Sequence, residues 1–142
     1  MLTTCYLYFP YLVPRTKTGQ AYKDYSYDMG LTWTKPVRMF LPNPNSKMCI
    51  LELPNGNILA AYNHSPTKRT PLSLALSKDG GVFWTILAHL EDDPELQYAY
   101  PTMLLSGDDL LVMYSVMSKQ SGTLLSIGMK VAKLKVNKLL TI

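Results

Sequence analysis

Two copies of one eight-residue pattern constrain this chain more than any other feature. The first is Ser26-Tyr27-Asp28-Met29-Gly30-Leu31-Thr32-Trp33, and the second is Ser77-Lys78-Asp79-Gly80-Gly81-Val82-Phe83-Trp84. Ser, Asp, Gly and Trp hold the same four offsets in both, and Ser77 lies 51 residues beyond Ser26. Each box reads as a tight hairpin turn with a built-in clamp. Asp28 and Asp79 are placed to accept hydrogen bonds from backbone N–H groups just ahead of them. Gly30 and Gly81 supply the positive φ that such a turn requires. The hydroxyl of Ser26 or Ser77 holds a further backbone group, and the ring of Trp33 or Trp84 packs over the turn. The boxes are therefore expected to be structural. Their acids lack the alternating oxygen ligands of a calcium loop, so no metal and no cofactor is expected.

A repeat of roughly 40–50 residues is the spacing of propeller blades. The rest of the chain reads accordingly as short strands. Thr4–Val13 is an edge-like strand because of Pro10. Ala21–Ser26 enters the first box and Thr34–Leu41 leaves it. Met48–Leu53 and Ile58–Asn63 flank Pro54-Asn55-Gly56-Asn57, an Asn-Gly hairpin signal. Leu72–Ser77 and Thr85–Leu90 flank the second box. Thr102–Leu105, Leu110–Val116 and Thr123–Val131 begin the pattern again. The expected fold is all-β, with about two and a half four-stranded antiparallel blades. Residues 1–41 form an incomplete blade, 42–93 a full blade and 94–142 an incomplete last one. The near-continuous apolar runs suit sheets packed on both faces. An unclosed array leaves an apolar face and a strand edge exposed, open to self-association. The expectation is a fragment, a truncated product or part of an assembly.

Composition agrees with a globular β protein: 47% hydrophobic residues, 17% charged, ten Tyr, ten Pro and eight Gly in 142 residues. No apolar run reaches the ~18 residues of a membrane span. The formal charge is +4. The late lysines Lys119, Lys130, Lys133, Lys135 and Lys138 are not interleaved with aromatics, so they read as a solvated edge and not a nucleic-acid surface. Cys5 and Cys49 lack metal-ligand spacing and do not read as a disulfide framework. Met1–Val13 is apolar, but no basic residue precedes the run, and Pro10 and Pro14 interrupt it. It does not read as a signal peptide, and the compartment stays open.

Connections in an up-and-down blade alternate between its two ends. The Pro54–Asn57 turn and the second box belong at one end. The loop His64–Pro71 and the connection Glu91–Tyr100 belong at the other, which puts Arg69 and Tyr100 together. The end with longer polar loops is the expected binding face.

The two S-x-D-x-G-x-x-W boxes resemble the Asp-box (BNR) repeats of the sialidases, or neuraminidases. Leu53-Pro54-Asn55-Gly56-Asn57-Ile58-Leu59 resembles that superfamily's L-P-D-G-x-L-L segment. Arg69-Thr70-Pro71-Leu72-Ser73-Leu74-Ala75-Leu76-Ser77 resembles the strand that carries a substrate-binding Arg into a box. Tyr98-Ala99-Tyr100-Pro101 resembles the segment with the catalytic Tyr. The likeness covers roughly residues 20–130. It implies part of a six-bladed sialidase-like β-propeller and a glycan or anionic sugar as ligand. It also implies a retaining exo-glycosidase of the kind that uses a Tyr nucleophile. In that chemistry a guanidinium holds the sugar carboxylate through two charge-assisted hydrogen bonds. A neutral Tyr avoids the repulsion that a carboxylate nucleophile would meet.

By this resemblance Tyr100 matches the nucleophile and Arg69 one Arg of the carboxylate-binding triad. Asn63 falls where a second triad Arg would stand, and Lys47 where the Glu that activates the Tyr would stand. Pro101 should hold Tyr100 extended, and Tyr98 should face the same side. Glu95 lies in the correct loop to replace the missing base, whereas Glu52 lies at the wrong end. His64 and His89 read as structural. With these departures, weak or no turnover is expected of the chain alone. A non-catalytic carbohydrate-binding or protein-interaction propeller remains the alternative, as does a truncated product.

Overall fold

The computed structural model describes residues 11–142. Cys5 and most of the strand expected over Thr4–Val13 lie outside them. The chain forms three antiparallel sheets in sequence order. The first contains β1 (Tyr11–Leu12), β2 (Gln20–Tyr25) and β3 (Val37–Pro42). The second contains β4 (Cys49–Glu52), β5 (Ile58–Asn63), β6 (Leu72–Ser77) and β7 (Thr85–Glu91). The third contains β8 (Leu96–Ser106), β9 (Asp109–Gln120) and β10 (Thr123–Lys135). A five-residue helix, α1 (Val136–Leu140), follows and was not anticipated. Within each sheet consecutive strands are neighbours, so every connection inside a sheet is an up-and-down one.

The two central strands of the middle sheet are buried on both faces, as their continuous apolar runs require. All six residues of β5 and all six of β6 are buried. Leu59, Ala61, Leu72, Leu74 and Leu76 face the third sheet and pack with Met103, Leu110, Val112 and Tyr114. Ala60, Tyr62 and Ala75 face the first sheet and pack with Ala21, Met39 and Leu41. Each fully buried Leu contributes about 1.5–3 kcal/mol. The Asn-Gly turn closes the β4–β5 hairpin: Gly56 takes φ 83° and its N–H donates to the Leu53 carbonyl at 2.9 Å.

The third sheet has a different outer edge. Eleven of the thirteen positions of β10 are exposed, including Leu124, Leu125, Ile127, Met129 and Val131. Together with Leu104 on β8 they leave apolar surface in solvent. The lysines of this strand are tied back to the protein. Lys130 pairs with Glu91 at 2.7 Å, and Lys133 and Lys135 pair with Asp109 at 2.9 and 2.7 Å.

Two expectations about β8 need correction. The strand begins at Leu96, six residues before the expected Thr102, so Tyr98 and Tyr100 lie in a strand and not in a loop. Its register against β9 shifts between Ala99 and Thr102. This one-residue bulge accommodates Pro101, which has no N–H for the ladder. Tyr100 is not extended: it has φ 55°, a left-handed conformation that costs a non-glycine residue about 1–2 kcal/mol.

Candidate functional site

Both boxes form the clamp expected of them, at the end of the sheets that carries the Asn-Gly turn. The Ser77 hydroxyl donates to Asp79 Oδ1 at 2.8 Å and accepts the Gly81 N–H at 2.9 Å. Asp79 in turn accepts the N–H groups of Val82 and Phe83 at 3.1 and 3.0 Å. The Trp84 indole donates to the Gly81 carbonyl at 3.2 Å. Ser26, Asp28 and Gly30 repeat this pattern, with Thr32 donating its N–H to Asp28 at 2.8 Å. The Thr32 hydroxyl and N–H lower the Asp28 pKa to about 2. The Phe83 N–H and the Ser77 hydroxyl likewise lower that of Asp79. Trp33 is 41% exposed, so its ring covers the turn only in part. The strands of the first sheet also reach the second box: Lys23 on β2 donates to the Gly81 carbonyl at 2.8 Å, and Phe40 on β3 stacks on Phe83.

The opposite end gathers the β5–β6 loop, the β7–β8 connection, the β3–β4 connection and the β9–β10 turn. Arg69 and Tyr100 meet there, with the guanidinium carbon 5.9 Å from the centroid of the Tyr100 ring. Neighbouring backbone fixes this geometry. The Tyr98 N–H donates to the Arg69 carbonyl at 2.8 Å, and the Thr70 hydroxyl donates to the Asp93 carbonyl at 3.1 Å. Tyr100 is half exposed, and no carboxylate among the described residues hydrogen-bonds its hydroxyl.

Asn63 stands behind this surface. Its carbonyl accepts the Ser46 hydroxyl at 2.7 Å, and its amide donates to the Tyr98 carbonyl at 3.0 Å. Buried and engaged at both ends, it anchors β8 beneath Arg69. Tyr98 does not share the side of Tyr100, because the bulge interrupts the alternation between Tyr98 and Thr102. Tyr98 is 1% exposed and meets Tyr114 edge-on. Burial and the neighbouring Glu91 carboxylate push its phenol pKa up. Lys47 approaches β8, its ammonium donating to the Thr102 hydroxyl at 3.4 Å.

Arg69 also lines a depression of about 530 Å³, together with Lys68, Thr70, Glu95, Gln97 and Lys119. Tyr100 is not part of the wall of this depression. Lys119 and Gln97 were missed in the sequence. Arg15, in the β1–β2 connection at the same end, was missed as well; it donates from Nε to the Asn45 carbonyl at 2.6 Å. The alternation of connections that located Arg69 applies equally to these turns and could have found them.

The two histidines are held by hydroxyls. His64 Nδ1 bonds the Tyr62 hydroxyl at 2.6 Å, and His89 Nδ1 bonds that of Ser73 at 2.7 Å. Burial and the adjacent His89 lower the His64 pKa. Among the described residues no group of three or more His, Cys, Asp or Glu could hold a metal ion. No helix there is long and apolar enough to cross a membrane.

Three adjoining up-and-down sheets, two of them carrying clamped boxes at one end, define a repeat protein of the propeller type. Residues 10–113 match the BNR repeat-like domain family, and the chain belongs to it. Solved sialidases share the fold. The NanB sialidase of Streptococcus pneumoniae superposes with a TM-score of 0.76 at 19% identity, over 96% of this chain and 23% of that one. The intramolecular trans-sialidase of Ruminococcus gnavus, in complex with oseltamivir carboxylate, gives 0.72 at 15% identity over 98% and 32%. An α-L-arabinanase of Penicillium chrysogenum, complexed with arabinobiose, gives 0.56 at 18% identity over 88% and 41%. The chain therefore has the fold of part of a sialidase-type β-propeller and spans about a third or less of these sialidases. No curated protein matches it.

Proposed function

We propose that the Arg69–Tyr100 end of this chain binds a carboxylate-bearing sugar. The observation that carries this reading is the guanidinium of Arg69 resting against the half-exposed ring of Tyr100. The ring restrains Arg69, and a restrained planar fork loses less freedom when it grips a carboxylate. The exposed remainder of the ring offers a flat apolar wall to a sugar. The strained backbone of Tyr100 agrees with a functional position, because such strain gathers at binding sites. Asn63 and Tyr98 support the site from behind and do not touch the ligand.

In this reading Tyr100 is the residue that would attack an anomeric carbon, as its likeness to the sialidase nucleophile implies. That step needs a base for the phenolic proton. Lys47, the residue nearest to that role by resemblance, is a cation and a donor. Glu95 lines the depression beside Arg69, on which Tyr100 does not open. The chain alone is therefore a binder with little or no turnover. A single exposed ion pair contributes about 0–1 kcal/mol, so binding is weak.

The test is ligand-observed NMR with N-acetylneuraminic acid and with galactose, alongside a fluorogenic sialoside assay. The reading predicts weak binding of the acid only, its loss in Arg69→Ala, and no turnover. Turnover that vanishes in Tyr100→Phe would instead establish a working glycosidase. Binding that survives Arg69→Ala would put the site elsewhere.

A further inference from the structure

The depression beside Arg69 has a chemistry that the Arg69–Tyr100 pair does not use. Three cations reach it from two segments: Lys68 and Arg69 from the β5–β6 loop, and Lys119 from the end of β9. Among the described residues none of the three has a carboxylate within 4.0 Å, whereas Lys130, Lys133 and Lys135 all do. Like charges converging without partners repel one another, and a concave wall concentrates their field on whatever anion enters. The one acid in the wall, Glu95, stands against three positive groups.

The other wall groups are polar and suited to hydroxyls. Gln97 offers an amide, and Glu95 can accept from a sugar hydroxyl. A volume of about 530 Å³ falls within the range of small-ligand sites. Arg69 joins the two regions: its guanidinium lies at the Tyr100 ring, and the residue also lines the depression.

We propose that this depression is a second anionic subsite, contiguous through Arg69 with the first, and that the ligand is an acidic oligosaccharide with negative charge on successive units. The inference rests on the reading of Arg69 and Tyr100 as the first subsite. One acidic unit lies at Arg69 and Tyr100, and the next places its carboxylate or sulfate between Lys68 and Lys119. Glu95 faces the hydroxyls of that second unit and turns its anionic group toward the lysines.

Isothermal titration tests this with N-acetylneuraminic acid, a trigalacturonate, a heparin-derived tetrasaccharide and neutral maltotriose. The wild type should bind at least one acidic oligosaccharide more tightly than the monosaccharide. Replacing both lysines, Lys68→Gln with Lys119→Gln, should weaken that oligosaccharide on the order of 5-fold and leave the monosaccharide unchanged. The affinity lost should shrink as salt is raised, because exposed charges are screened. Trigalacturonate as the responsive ligand indicates carboxylates, and the heparin fragment indicates sulfates. An unchanged affinity of the double variant for both acidic oligosaccharides, or equal wild-type affinity for maltotriose, overturns the second subsite. Failure of the first subsite reads differently: monosaccharide binding would then survive Arg69→Ala. Both lysines are exposed, and an unchanged melting temperature confirms that the variant is folded.

Discussion

Arg69 and Tyr100 lie 31 positions apart in the sequence, yet the guanidinium of one sits 5.9 Å from the ring centroid of the other. The contact follows from connectivity. Two strands, β6 and β7, carry the chain down and back between them, so the loop before β6 and the start of β8 return to one end. At an exposed site such a cation–π contact contributes about 0.5–1 kcal/mol. Tyr100→Ala should therefore barely change the melting temperature through this contact but should loosen Arg69. The Arg69 Nε–H resonance, followed by NMR, is expected to broaden or move to the position of a free guanidinium.

The two boxes differ at one informative position. Met29 has φ 61°, and Gly80, at the same offset, has φ 75°. Met29 is 85% exposed, so its side chain contributes little packing. Met29→Gly should relieve backbone strain and stabilise the chain by about 1 kcal/mol, and Gly80→Met should destabilise it by a similar amount. Urea midpoints of the two variants should move in opposite directions.

Asp79→Ala removes the acceptor for the Val82 and Phe83 N–H groups and for the Ser77 hydroxyl. Its melting temperature should fall. Because the box lies at the far end from Arg69, sugar binding measured below the new transition should be unchanged.

Leu74 is fully buried between the middle and third sheets. Leu74→Ala should cost about 2–5 kcal/mol in chemical denaturation, as expected for a cavity in a packed core.

Acid should unfold the protein in two stages. His64 has a folded-state pKa below its ordinary 6.5, so the folded state resists protonation and stability declines as the pH falls below that value. Asp28, Asp79, Glu91 and Asp109 also titrate below their ordinary values when folded. For Glu91, burial opposes the shift, and the Lys130 and Tyr114 contacts outweigh it. The stabilisation from these carboxylates is complete above the unfolded values of 3.8 and 4.5 and is lost as the pH falls through the folded ones, to about 2 for Asp28. Asp28→Asn should flatten the lower stage of a melting-temperature profile and leave the stage near 6.5 in place.

What the sequence disclosed was the part governed by periodicity. The boxes, the Asn-Gly hairpin and the alternation of connections are enough to put Arg69 and Tyr100 at one end. Tyr98 was misplaced because a bulge adds one residue to β8 without a glycine to announce it, so simple alternation from Tyr98 to Tyr100 gave the wrong face. The left-handed Tyr100 was equally hidden, since Pro101 argues only against the right-handed helical region for the residue before it. Asn63 matched a binding position in the family, but a side chain that can donate and accept was instead enlisted between Ser46 and Tyr98. Lys119 reaches the depression only because β9 runs to Gln120, four residues past the expected end at Val116.

The most direct test of the account is a backbone amide chemical-shift map recorded while N-acetylneuraminic acid is titrated into the labelled chain. The account predicts small, fast-exchange shifts at Arg69, Thr70, Tyr100 and Thr102, absent in Arg69→Ala, with the amides of residues 26–33 and 77–84 unmoved. Shifts concentrated in those two boxes, or a pattern at any other surface that persists in Arg69→Ala, would contradict it.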